Sequence, residues 1–339
     1  MTSEIKDLSD QILNEIKQAK NILLHCHVYP DPDSVCSVLA MAGILKQMGK
    51  NVTPIMGDSE CPEYLENVPH KDWLVKKNYT EINPEDYDLF IILDSASIDR
   101  ISSLTDIKFP TTMRTVVIDH HQTNKMFGDI NLVDKSRAST CENLFRLFQN
   151  WRVKIDQDTA LLLFLGTYSD TGGFKYPYTS PETFEVATEL VKISPHYHTV
   201  LADMENHRKP IDLEMMGLAL TNLEKYSDGK VVFSIVPYDV IKSRSLTREE
   251  ASEGLIGDTL RSVVDWRIVA SLVEMSPDEV QVSLRTRYEN DYDVSEIAKT
   301  VGDKGGGHRG AAGTTIHEPL VKAKRELLKT ICEIYPEFK

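Results

Sequence analysis

Two short runs of the chain, DLFIILD at 88–94 and TVVID at 115–119, are apolar without interruption, and each closes on an aspartate. A strand with one wet face alternates apolar and polar side chains. An unbroken apolar run is buried on both faces, the mark of a parallel sheet covered on each side. Residues 22–28 (ILLHCHV) read as a third such strand, apolar apart from two histidines, and 51–56 as a fourth. Helical stretches alternate with them. One runs from Asp33 to Met48 and stops at Gly49, with Val35, Val38, Leu39, Ala42 and Leu45 on one face. Another begins at Ser139, where Ser139-x-x-Glu142 has capping-box spacing, and further helices cover about 156–168 and 181–192. The pattern predicts an α/β fold with a doubly wound, mostly parallel sheet, whose ligand crevice lies at the carboxyl ends of the strands. Asp94 and Asp119 both fall there.

The 339 residues suffice for two domains. Residues 193–212 carry prolines and histidines without a clear period and are expected as a linker. Beyond them, strands at 230–236, 267–274 and 279–287, with helices between and a final helix near 319–334, predict a smaller α/β domain with a mixed sheet. The expected division is 1–192, linker 193–212 and 213–339, with a cleft between the domains. There are 52 acidic against 38 basic residues, a net charge of −14. Tracking a long nucleic acid needs a basic face, so that partner is disfavoured, whereas a small phosphorylated ligand needs only a few local cations. No apolar run approaches the roughly 20 residues of a membrane span, and no membrane contact is expected. The N-terminal stretch has no apolar signal-peptide core, and the five cysteines include no CxxC pair. Both features fit a reducing cytoplasm.

Four segments concentrate oxygen and imidazole ligands: His27-x3-Asp31-x-Asp33, Asp94, Asp119-His120-His121, and Asp170 within SDTGGF. Carboxylates with a few imidazoles suit manganese or magnesium, and imidazole favours the former. So many aspartates in one cleft need cations, because their mutual repulsion otherwise drives their pKa values up. Each segment also has an ordinary reading: Asp31 and Asp33 as turn and N-cap residues, Asp94 as a cap, the histidines as surface residues. Their common position at strand–helix junctions of one sheet is what points to a site. His25 reads as a core or supporting histidine, with a place beside a metal as the alternative.

On strand 279–287 the period of two places Gln281, Ser283, Arg285 and Arg287 on one face. Two guanidiniums side by side suit bidentate phosphate binding, the alternative being a solvated sheet face. Gly305, Gly306 and Gly307 allow backbone N–H groups to converge on an anion, and His308 adds a donor. A flexible turn is the competing reading. Ser37, Ser169 and Thr171 read either as phosphate contacts or as caps and turns.

In combination these segments resemble a known family. HVYPDPD, the LDSAS strand end, VVIDHH and YSDTGGF resemble motifs one to four of the DHH phosphoesterase superfamily, and GGGHRGAAG at 305–313 resembles the signature of the DHH-associated C-terminal domain. The resemblance spans roughly residues 20 to 315. It is greatest to the nanoRNase and 3′-phosphoadenosine-5′-phosphate (pAp) phosphatase group, some of whose members cleave pApA, the linear product of cyclic di-AMP. It implies one manganese held by His27, Asp31 and Asp94, and a second by Asp33, Asp94, His120 and Asp170, with magnesium or cobalt as alternatives. Two such ions activate a hydroxide. It further implies that His121 faces the scissile phosphate as donor or general acid and that Asp119 orients an imidazole. Arg285, Arg287, Gly306, Gly307, His308 and Ser37 become the substrate contacts. The implied activity is hydrolysis of very short oligonucleotides, pApA included, to mononucleotides, together with removal of the 3′-phosphate of pAp. A cytoplasmic homodimer is implied as well. The alternatives are a pyrophosphatase or polyphosphatase, a RecJ-like single-strand exonuclease, and a non-catalytic nucleotide-sensing scaffold. The chain departs from the family pattern at Cys36, where glycine is common, and at Gly173, where arginine is.

Overall fold

The structure is a computed structural model and describes residues 3–339, without the side chain of Lys304. It divides into two compact units, the first ending at His207 and the second beginning at Arg208. Among the described residues no helix is long and apolar enough to cross a membrane.

In the first unit, α1 (Ser3–Gln18) precedes β1 (Asn21–His25), α2 (Pro32–Gln47), β2 (Asn51–Ile55), β3 (Leu89–Leu93), β4 (Arg114–Asp119) and β5 (Ile130–Val133). Then come α3 (Thr140–Trp151), α4 (Gln157–Asp170), α5 (Pro181–Ile193) and α6 (Tyr197–Glu205). The sheet is ordered β2-β1-β3-β4-β5 and every pairing is parallel. The continuous apolar runs follow from burial on both faces. Ile22, Leu24, Ile91 and Val116 face a core shared with the α-helices, and Leu23, Phe90, Ile92 and Val117 face a second one. Among the described residues, that second layer contains no long helix. It is built from loops and single 3-10 turns, with Tyr79, Ile101 and Met113 filling it. The sheet is thus covered on both sides as expected, but by helices on only one of them.

Three local expectations change. The strand read over 22–28 ends at His25, because Val28 N–H bonds to Arg100 O and Tyr29 takes a left-handed φ of 55°, so the chain leaves the sheet. Helix α2, expected to bury one face, is buried from Pro32 to Leu45 because α3 and α4 pack around it. The stretch expected as a linker holds α6, whose Tyr197 ring packs 4.6 Å from Phe164 on the first unit.

The second unit comprises α7 (Pro210–Thr221), β6 (Leu223–Tyr226), β7 (Val231–Val236), α8 (Tyr238–Ser243), α9 (Arg248–Ser252), α10 (Gly257–Leu260), β8 (Ile268–Ser276) and β9 (Glu279–Arg285). It closes with α11 (Val294–Val301), β10 (Asp303–His308), β11 (Ala311–Ile316) and α12 (Leu320–Ile334). Its mixed sheet runs β10-β11-β9-β8-β7-β6, with only β7 and β8 parallel. Helices α11 and α12 pack on one face over Phe233, Leu272, Val282 and Leu284. Residues of α7 to α10 cover the other face over β7 and β8, through Val232, Val236, Val269 and Val273. Over β9, β11 and β10 that same face lines a groove.

Candidate active site

The first sheet's order reverses between β1 and β3: the chain moves outward to β2, then returns on the other side of β1. In open parallel sheets a crevice opens at such a reversal, at the carboxyl ends of the strands. There the loop after β1 supplies His27 and Asp31, the first turn of α2 supplies Asp33, and the residue after β3 is Asp94. The end of β4 and the loop beyond it bring Asp119, His120 and His121. Asp170 comes from the last turn of α4 instead of a strand-end loop. Five aspartates and three histidines fall into three overlapping groups. These are His27, Asp31 and Asp94; Asp33, His120 and Asp170; and Asp94, Asp119, His120 and His121. Within each group the ligand atoms lie within 4.8 Å of one another.

Local structure fixes each side chain. Asp31 is the N-cap of α2, accepting from Ser34 N–H through Oδ1, while Oδ2 lies 3.6 Å from His27 Nε2, so the cap and the ligand position are one residue. Asp33 accepts from the Thr140 and Cys141 amides at the N-terminus of α3, 2.7 and 3.0 Å away. It can enter that corner only because residue 166 is glycine: a Cβ there would stand 2.7 Å from Asp33 Oδ1 and 2.4 Å from Cys141 Sγ. Asp94 has a left-handed φ of 52°, an uncommon conformation for a residue with a side chain, and accepts from Thr140 Oγ1 at 3.0 Å. Its two oxygens lie 3.4 Å from His27 Nε2 and 3.5 Å from His120 Nε2, so it belongs to both ends of the cluster. At His27, a protonated Nδ1 donates to Val28 O, and an unprotonated one accepts from Arg100, at 3.0 Å in either case. Asp119 is fully buried. Its Oδ1 accepts from the His120 amide and from His121 Nδ1 at 2.7 Å, and its Oδ2 accepts from Asn124.

Burial sharpens the electrostatics. Burial, then Asp94 and Asp170, drives the Asp33 carboxyl well above the usual range. Burial lifts Asp170 to about 6. It pushes Asp94 the same way, but His120 and His27 overcome it and hold that carboxyl well below its ordinary value. Burial opposes charge on the imidazoles too, yet Asp31 and Asp94 raise His27 to about 10, and Asp170 and Asp94 raise His120 to about 12. Without metal the histidines are the counter-cations of this pit. The donor set fits divalent cations, and His120 Nε2 carries the strongest sign of it. That nitrogen is buried and makes no well-aligned hydrogen bond; Asp170 Oδ2, 3.0 Å away, is an ion-pair partner when the ring is protonated, and the neutral ring leaves a free lone pair there. A cation would satisfy it and relieve the carboxylate repulsion at once.

Other candidates land elsewhere. Ser37 is fully buried in α2 and donates to Ser34 O, which corrects its assignment as a substrate contact: on that helix it has no open side. His25 is buried against Phe90, with burial pushing it down to about 4, and belongs to none of the three groups. Cys36 is a fully buried helix residue, and burial pushes its thiol up. Gly173 has a φ of 67°, between Gly172 and Phe174 that are also left-handed, a turn that suits glycine better than arginine. Thr171 is a buried C-cap whose hydroxyl donates to Thr167 O. Sequence reasoning missed Arg100, Thr140, Asn124 and Gly166. Of these only Gly166, a glycine inside an apolar helix, carried a visible signal.

In the second unit the groove measures about 690 Å³ and is lined by Gln281, Ser283, Arg285, Gly306, Gly307 and Gly313, among others. Strand register aligns its floor: Gly306 stands opposite Gly313, which stands opposite Ser283, and His308 opposite Ala311, which stands opposite Arg285. The glycine run is an edge strand and not a loop. A Cβ on Gly305 would reach 1.9 Å from Ala298 O, and one on Gly307 2.4 Å from Ala311 O, whereas Gly306 faces open space. Strand β9 ends at Arg285, Thr286 Oγ1 accepts from Tyr288 N–H and turns the chain, and the Arg287 guanidinium lies 3.5 Å from Ser262 O.

Comparison with known proteins matches this architecture. The DHH family N-terminal domain matches residues 21–167, and the DHHA1 domain matches residues 228–337. A bifunctional oligoribonuclease and PAP phosphatase NrnA of Thermus thermophilus is 29% identical over 318 residues, 91% of this chain and 90% of that protein. The protein of the same description from Bacillus subtilis is 27% identical over 338 residues, 96% of this chain and 99% of its own. The crystal structure of an exopolyphosphatase-related protein from Bacteroides fragilis superposes with a TM-score of 0.86 at 23% identity, covering 98% of this chain and 97% of that one, and so shares the fold. With its ligand groups gathered in the first unit, the chain carries a DHH family N-terminal domain there and a DHHA1 domain in the second.

Proposed function

We propose that this protein is a metal-dependent phosphodiesterase that hydrolyses very short oligonucleotides, nanoRNA and pApA among them, to mononucleotides, and that it also removes the 3′-phosphate of pAp. The observation that carries the reading is the pit of five aspartates and three histidines at the carboxyl edge of the first sheet, where the buried Nε2 of His120 makes no well-aligned hydrogen bond. The relatives described as oligoribonuclease and PAP phosphatase, aligned over nearly the whole chain, support the substrate class. The DHHA1 match supports it over a pyrophosphatase, and the net charge of −14 weighs against a long single strand.

In this reading His27, Asp31 and Asp94 hold one manganese, and Asp33, Asp94, His120 and Asp170 hold a second. When bound, such ions supply Lewis-acid polarisation of phosphoryl oxygens and activation of water. The chain's own groups do the rest. Asp119 holds Nδ1 of His121, which leaves Nε2 of that half-exposed ring to meet the substrate. The bond to Asp119 raises the His121 pKa, so the ring is better able to carry a proton to a leaving oxygen. Thr140 and the α3 amides keep Asp94 and Asp33 from turning away. Arg285, Gly306, Gly307 and His308 take the substrate's phosphate in the second unit. The family resemblance supports a cytoplasmic homodimer and a place for pApA hydrolysis in cyclic di-AMP turnover.

The test is product analysis in manganese with pApA, a five-nucleotide RNA, pAp and pyrophosphate in parallel, with His120→Ala as control. The expected result is AMP from pApA and the RNA, with pyrophosphate intact and the variant inactive. Consumption of pyrophosphate alone would overturn the substrate class, and metal binding without turnover would make the protein a sensor.

A further inference from the structure

Arg285, the guanidinium that faces the groove of the second unit, is already engaged. Its Nε and Nη2 lie 3.2 and 3.4 Å from the two oxygens of Asp258, a side-on fork, while Nη1 donates to Ser283 Oγ at 2.9 Å and Leu284 O at 3.0 Å. A guanidinium grips a phosphate at two points through the Nε/Nη2 edge or the Nη1/Nη2 edge. Both edges here have a member in use, so a two-point grip requires a partner to leave.

Asp258 is the partner able to do so. Its side chain is 63% exposed, against 22% for Arg285, so it can turn into water, whereas Ser283 and Leu284 belong to the strand. Its Oδ1 also lies 3.1 Å from Arg261 Nε, one turn further along the chain. Giving up Arg285 therefore leaves the carboxylate paired. The approach itself depends on residue 257. A Cβ on Gly257 would stand 2.9 Å from Arg285 Cγ and 3.2 Å from Ser283 Oγ, so only glycine lets α10 lie close enough for Asp258 to reach the fork.

We infer that Asp258 is a carboxylate gate on the anion groove, holding Arg285 in the ligand-free chain and passing to Arg261 when a phosphate enters. The gate lowers the affinity of the groove for every anion by the strength of one ion pair. An anion held by Arg285 alone is then retained poorly, and a nucleotide with further contacts stays. After cleavage the returning carboxylate displaces the product phosphate. This inference rests on the reading that the groove takes the substrate's phosphate.

The experiment is equilibrium binding of AMP to the full chain in chelator, with Asp258→Asn, Asp258→Ser, Arg285→Ala and the Asp258→Asn/Arg285→Ala double variant. Removing the carboxylate is expected to tighten AMP binding about fivefold, the size of a partly exposed ion pair, in both Asp258 variants. Arg285→Ala is expected to weaken binding and to abolish the gain in the double variant. In turnover, Asp258→Asn lowers KM without raising kcat. Weaker binding in both Asp258 variants would overturn the gate and make Asp258 a positioning residue for Arg285. A gain that persists in the double variant would also overturn it. If Arg285→Ala binds AMP as tightly as the parent chain, the groove does not take the phosphate, and the gate falls with that reading.

Discussion

The two units handle charge in opposite ways. In the first, Asp33, Asp94, Asp119 and His27 are all within 2% of full burial, cross-linked to helix amides, to each other and to a threonine. In the second, the key guanidinium lies in an open groove and its carboxylate partner is mostly in water. A charge in a low-dielectric pit cannot relax when a neighbour changes, so its geometry and its proton affinity are set by the surrounding fold. A half-exposed pair exchanges partners at little cost, because water takes up whatever is released. The first arrangement suits holding cations at fixed positions, and the second suits capture and release of an anion.

The largest expected effect comes from breaking the buried side at its shared member. Asp94→Ala should lower kcat by about 10³-fold or more, the several kcal/mol that fixed cations supply to a phosphoryl transition state. AMP binding to the groove in chelator should be unchanged. A parallel loss of both would show that the two regions are not separable.

A paired glycine comparison reads packing alone. Gly166→Ala should destabilise the protein by about 1–3 kcal/mol in urea melts and raise its metal requirement, because the new Cβ meets Cys141 Sγ and Asp33 Oδ1. Gly306→Ala, with nothing within 4 Å of its Cβ, should stay within about 0.5 kcal/mol. Equal effects would end the contrast.

Proton release sharpens the same point. In the metal-free chain the surrounding carboxylates raise His27 to about 10 and His120 to about 12, which favours the protonated rings at neutral pH, while a metal-ligating imidazole must be neutral. Metal addition at pH 7.5 should therefore release at least the two imidazole protons per chain in an unbuffered titration, and apparent affinity should rise with pH. Folded-state values above the ordinary 6.5 stabilise the metal-free protein fully below that pH, and the contribution fades as pH climbs toward about 10 for His27. Its melting temperature should fall across that window, and bound metal should flatten the decline. No proton release would mean that the ion does not displace the imidazole protons.

The smallest effect belongs to Ser37→Ala. It removes one intrahelical bond to Ser34 O and should change stability by no more than about 1 kcal/mol, with KM unaltered. A raised KM would return Ser37 to the substrate site.

Much of the first unit was legible in the chain because its signals are local. Unbroken apolar runs report burial on two faces, and an aspartate at the end of such a run is delivered to one edge of the sheet whatever lies between. That is why His27, Asp31, Asp33, Asp94, His120, His121 and Asp170 could be picked from spacing and family resemblance and are found gathered in one place. The second unit was less legible. Period-two reasoning carried the strand through Arg287, but β9 stops at Arg285, where Thr286 Oγ1 accepts from the Tyr288 amide. A glycine run looks alike whether it is a loop or an edge strand pressed against a helix.

What the sequence alone determined about this protein is which residue types reach the sheet edge: hydrophobic burial is set residue by residue, and the parallel order follows from it. Tertiary structure alone decided which partners those residues meet. Gly166 makes room for Asp33, Asp94 is held in a left-handed turn beneath Thr140, Ser37 is turned inward, and Asp258 reaches across to Arg285. Each of these joins residues distant in sequence or depends on packing around a single Cβ. Such contacts have no period along the chain, and only the packed three-dimensional arrangement sets them.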